Sequence, residues 1–111
     1  MGIRLEVFGH QHPETATSEN NLANLLREVD LLDEALAHQE RAVIAFENTL
    51  GDSHPNTATS LHHLAALLRL LDRHDEARRY LGRALATGEA TFGPAHPFTQ
   101  RVRQDLADLD L

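Results

Sequence analysis

At 111 residues, of which 41% are hydrophobic and 24% charged, the chain is long enough for one domain and has the composition of a globular protein. It has no cysteine, which excludes a disulfide framework and a thiolate metal site. The formal net charge of −7, with its arginines dispersed, argues against nucleic acid as a partner, because counterion release from a phosphate backbone needs a clustered basic surface. Residues 1–9 lack the basic and long apolar segments of a signal peptide, and no run reaches the ~18 apolar residues that span a bilayer. A cytoplasmic protein without a membrane partner is expected. All 10 basic residues are arginine, a codon bias that points to a bacterial source. The apolar residues are mostly Leu and Ala, with few aromatic or β-branched side chains, which favours helix over strand.

The chain repeats itself with a period of 42: Gly9, Gly51 and Gly93 come into register, with His12-Pro13 on His54-Pro55 and His96-Pro97, and 20 of 42 positions are identical between 9–50 and 51–92. Taken in order, residues 1–9 carry Ile3, Leu5, Val7 and Phe8 in register with the end of a repeat's second helix. Residues 10–50 form repeat 1, residues 51–92 repeat 2, and residues 93–111 a terminal first helix that acts as a cap. Met1 falls on Val43 in this register, so the sequence opens inside a second helix. Either a longer repeat protein or a dimer paired through residues 1–9 and the first helix pair is expected to cover that end.

Each period holds two apolar patterns with helical spacing. Helix A carries Ala16, Leu22, Ala23 and Leu26 in repeat 1 and Ala58, Leu61, Leu64, Ala65 and Leu68 in repeat 2. Helix B carries Ala35, Ala42, Val43, Phe46 and Leu50, then Ala77, Leu81, Ala84, Leu85 and Phe92. Five helices are predicted over 13–29, 32–50, 55–71, 74–92 and 97–110. Pro13, Pro55 and Pro97 suit the first helical position, where no N–H is needed. Asp30 and Asp72 tolerate the tight turn between A and B. Asp33-Glu34 and Asp75-Glu76 place negative charge at the amino end of helix B, where the macrodipole favours it. Gly51 and Gly93 supply the left-handed residue that ends helix B.

These residues resemble the tetratricopeptide repeat family. The resemblance lies in the Leu-Ala pair of helix A (22–23, 64–65), the apolar residue four positions after the Leu (Leu26, Leu68), Asp-Glu-Ala opening helix B, and Ala42 and Ala84 further along it. The 42-residue period with Gly-x-x-His-Pro-x-Thr-Ala looks like the long-repeat subclass of kinesin light chains. The resemblance implies an all-α, right-handed α-solenoid of antiparallel helix pairs, with A helices lining a concave side and B helices the convex side. It implies a binding scaffold, whose single helix pairs bury too little to stand alone. Repeat 1 departs from the pattern at Glu19, where Leu61 is apolar, and at Gln39, where Leu81 is apolar. Glu19 is expected to leave the repeat less well packed or to face solvent, and Gln39 to weaken its core. The third copy has Arg103 and Asp110 at apolar positions.

Catalysis has no candidate constellation. There is no Gly-rich phosphate loop, no nucleophile elbow and no His-Glu-x-x-His pair, and the acidic residues are expected on solvated helix faces. His10-x-His12 and His62-His63 invite a metal, but the His-Pro histidines recur at separated repeat positions, and adjacent helical residues diverge by about 100°. No enzyme activity, cofactor or metal is expected. The resemblance maps a concave groove onto Thr17, Asn20, Asn24 and Arg27, then Thr59, His62, Ala66 and Arg69, then Arg101, Gln104 and Asp108, with Asn21 and His63 at its edge. In the kinesin-light-chain-like subclass an asparagine pair placed like Asn20-Asn21 faces bound peptide. The expected function is therefore capture of a protein or peptide segment in this groove. Self-assembly or regulation without a peptide ligand is the alternative.

Overall fold

The computed structural model describes residues 13–109, which form five helices: α1 (Pro13–Glu28), α2 (Leu32–Leu50), α3 (Pro55–Leu70), α4 (His74–Thr91) and α5 (Pro97–Leu109). Each lies within one residue of its predicted bounds, and no strand occurs among the described residues. The segment 1–9 and residues 110 and 111, which the sequence assigned to a helix B remnant and to the end of the cap, lie outside them. No helix among the described residues is long and apolar enough to cross a membrane.

Consecutive helices pack on one another, α1 on α2, α2 on α3, α3 on α4 and α4 on α5, which is the stacking of an α-solenoid. The turn inside each pair has one design. Asp30 and Asp72 adopt φ of 67° and 61°, the left-handed conformation that Asp accepts more readily than most side chains. Asp30 N–H bonds the Arg27 carbonyl at 3.0 Å and Leu31 N–H the Leu26 carbonyl at 2.8 Å. Asp72 and Arg73 repeat this on Arg69 and Leu68 at 3.0 and 2.8 Å. These paired bonds satisfy carbonyls that a helix end would leave orphaned. Between the pairs, Gly51 ends α2 at φ 87° and ψ 172°, a conformation closed to residues with a Cβ.

The recurring His-Pro pair has a local role. His54 accepts the Asn56 N–H through Nδ1 at 3.0 Å, and His96 accepts the Phe98 N–H at 3.0 Å, so each caps the helix that its proline begins. Thr57, fully buried, donates its hydroxyl to the Gly51 carbonyl at 2.7 Å and ties the start of α3 to the end of α2.

The main core joins Leu36 and Val43 of α2, Leu61, Leu64, Ala65, Leu67 and Leu68 of α3, Ala77, Leu81 and Ala84 of α4, and Val102 of α5. A smaller cluster joins Ala16 to Ala42, Ala45 and Phe46. The two interfaces between pairs are filled in complementary ways. Phe46 faces the interface where α3 carries Asn56. One period later Gly88 replaces the phenylalanine and Phe98 the asparagine, and a Cβ on Gly88 would meet Phe98 and Thr99 at 3.1 Å. The large ring has changed sides.

One expected core residue is corrected. Leu22 is 40% exposed, and Leu25 and Val29 on the same stripe are 60% and 65% exposed. In α3 the equivalent Leu64 and Leu67 are buried in the cluster that contains Leu36 and Val43 of α2. No described helix takes the place of α2 on the outer side of α1.

Leu64 and Ala65 are 1% and 0% exposed. Leu64→Ala should cost about 2–5 kcal/mol by leaving a cavity, and Ala65→Leu about 1–3 kcal/mol by overpacking. Urea midpoints unchanged in both variants would contradict this register.

Candidate binding groove

The A helices carry an open cavity of about 440 Å³ on their shared side. Arg27 comes from α1, His62, His63, Ala66, Arg69 and Leu70 from α3, Arg101 and Asp105 from α5, and Leu81 from α4. Arg27 and Arg69 occupy the same position one repeat apart, so helix stacking brings both guanidinium groups to one face. The predicted groove residues Arg27, His62, Arg69 and Arg101 thus meet. Thr17, Asn20 and Thr59 instead line a separate recess of about 250 Å³ with Phe46, Asn56 and Ser60. Asn21 and Gln104 are exposed, Asn24 is half-buried, and none of the three lines either cavity. Gln104 donates to Asp108 at 2.9 Å.

The polar residues of repeat 1 form a network, which corrects the expectation that they weaken its core or face solvent. Gln39, fully buried, donates from Nε2 to Asn20 Oδ1 at 2.8 Å and to Ser60 Oγ and O at 3.0 and 3.2 Å, linking α1, α2 and α3. Glu19, half-buried, accepts from His38 Nδ1 at 2.5 Å. The same positions of repeat 2 hold Leu61, His62, Tyr80 and Leu81, so two facing pairs have changed character together. The donors of this buried amide are used, while its Oε1 is buried without a hydrogen-bond partner among the described residues. His63 Nδ1 approaches Asn20 Oδ1 at 3.4 Å, which connects the network to the groove.

Asp105 is the charged groove residue that the sequence analysis missed, beside the apolar Leu70 and Leu81. Its side chain is only 13% exposed, and it accepts from His62 Nε2 at 2.7 Å with Arg101 at 3.4 Å and Arg69 at 3.8 Å. Half-burial of Asp105 and Glu19 also corrects the placing of all carboxylates on solvated faces. The signal was available: Arg101 and Asp105 have i, i+4 spacing, and Asp105 falls on His63 in the repeat. Phe98 packs edge-on against His62, with ring centroids 5.6 Å apart, and helps to hold the imidazole toward Asp105. His62 and His63 both line the groove, despite their angular separation on the helix. Among the described residues no group of three or more His, Cys, Asp or Glu could hold a metal ion.

His63 is held below the ordinary histidine pKa, first by burial, then by His62 and Arg27. Its neutral form is therefore favoured beside the arginines.

Stacked helix pairs with a polar groove along the A helices define a helical repeat scaffold. The tetratricopeptide repeat model matches residues 14–87 and again 59–111, and the chain belongs to that family. Tetratricopeptide repeats are generally non-enzymatic modules of protein interaction. No curated protein matches the chain.

The depressed pKa of His63 has a stability consequence. The folded state binds fewer protons at this site than the unfolded chain, so its contribution is full above the ordinary value of 6.5 and is lost as pH falls below that value toward the folded pKa. His63→Asn, which installs the Asn21 residue type, should flatten the fall in urea stability between pH 7.5 and 5.5, by at most about 1.4 kcal/mol per pH unit. A slope equal to that of the wild type would show that His63 titrates alike in both states.

Proposed function

We propose that the chain captures a peptide segment, extended along the A helices, with acidic groups facing the arginines. The observation that carries this reading is the convergence of Arg27, Arg69 and Arg101 with two histidines in one open groove, in a chain whose net charge is −7. Guanidinium groups recognise carboxylates through paired N–H donors. The kinesin-light-chain-like reading adds a backbone contact. Asn20 uses its Oδ1 within the network, which leaves its amide N–H groups to meet a peptide carbonyl in the neighbouring recess.

A second reading, self-association through α1, is favoured by one observation: the exposed Leu22, Leu25 and Val29 form an apolar stripe, and such patches mark interaction surfaces. A symmetric pairing of two α1 helices would cover it.

The groove reading is tested with peptides selected from a random displayed library. The groove reading expects amide shifts at Arg27, His62, His63 and Arg69, and loss of at least about tenfold in affinity for Arg27→Glu with Arg69→Glu, while helical circular dichroism is retained. Shifts confined to α2 and α4, or binding that survives the double reversal, would overturn it. A monomer by light scattering at high micromolar concentration would reject the α1 pairing.

A further inference from the structure

The basic groove already contains a carboxylate. Asp105 reaches it from α5, and its two oxygens engage three side chains of the cluster: Oδ2 meets His62 at 2.7 Å, while Oδ1 meets Arg101 at 3.4 Å and Arg69 at 3.8 Å. With 13% of its side chain exposed, Asp105 is positioned as a peptide's acidic side chain would be. Arg27, across the same cavity on α1, has no ion pair among the described residues. Nearest to it in charge effect is His63, on which Arg27 acts electrostatically.

We propose that Asp105 is the specificity-determining residue of the groove: it fills the carboxylate position at His62, Arg69 and Arg101, so that a ligand seats a single acidic group beside Arg27 and His63. This inference rests on the groove reading above. The ligand class is an extended peptide with one acidic residue. A second acidic group one subsite further along meets Asp105 and is repelled, since like charges at close range in a partly desolvated site cost affinity. The asymmetry comes from the repeat itself. Asn21, His63 and Asp105 share one repeat position, so an acidic side chain enters the row of A helices only at its α5 end.

Proton balance at the Arg27 end follows from the groups that surround it. His63 faces Asn20 and Arg27 from α1, and shares the cavity with His62 and Arg69 of its own helix and with Arg101 and Asp105 of α5. A carboxylate arriving there favours the charged imidazole, so binding of the acidic peptide takes up protons and strengthens as pH falls toward and below the ordinary histidine value of 6.5.

The test uses capped alanine-based octapeptides bearing two glutamines, one glutamate and one glutamine, or two glutamates four residues apart, titrated into the wild type and Asp105→Asn and followed by amide shifts. In the wild type, the first glutamate should tighten binding about fivefold or more and the second should bring no further gain, or a loss. In Asp105→Asn, the second glutamate should gain about fivefold or more. Arg27→Gln should remove the effect of the first glutamate when Asp105 is present. Equal gain from the second glutamate in both proteins would overturn the role of Asp105 while leaving the groove standing. Glutamate-independent binding would remove the acidic subsite, and absence of groove shifts with every peptide would remove the groove reading and this inference with it.

Discussion

Everything in this molecule depends on an A helix being covered on both sides. α3 meets that condition: α2 and α4 pack against it, and Thr57, Ala58, Ser60, Leu61, Leu64, Ala65, Leu67 and Leu68 are all buried. α1 repeats much of that sequence but, among the positions whose burial is described, buries only Thr15, Ala16 and Ala23. The difference lies in the neighbours, since burial of apolar area by adjacent repeats is the main stabilising term in such stacks. The left-handed aspartates, the His-Pro caps and the glycine between pairs set the angles at which these neighbours meet.

The same stacking makes a groove possible. Residues that share a position in successive repeats are carried to one face at regular intervals, so Arg27 and Arg69 face a common space without any loop to place them. A platform of packed helices holds such groups with little entropy left to lose on binding, which is the physical advantage of preorganisation. The groove is open, and its charge is decided by what each A helix contributes at the positions that line it. Asp105 shows how a single position in the repeat register can set a carboxylate among the arginines.

The fold was legible because period and punctuation agreed. Leu-Ala pairs at helical spacing, proline at helix starts and glycine at helix ends specify the same boundaries independently, and the helices form within a residue of them. The groove was legible in part. Arg27, His62, Arg69 and Arg101 could be placed because their register was clear, but Asn21, Asn24 and Gln104 line neither cavity. The sequence alone could not show that Glu19 and Gln39 have partners. His38 lies 19 residues from Glu19, and Asn20 and Ser60 lie 19 and 21 from Gln39, so only the meeting of three helices reveals these contacts. Leu22 was misplaced for the reason that exposes it, because its burial depends on a neighbour and not on its own helix.

Native-state hydrogen exchange tests the dependence on neighbours most directly. If interfaces between helix pairs hold the fold, the amides of α3 exchange only through global unfolding and are the most protected in the chain, with protection falling toward α1 and α5. Equal protection in α1 and α3, or an α1–α2 pair that stays protected while α3 and α4 exchange, would show that each pair is stable by itself and would contradict the account.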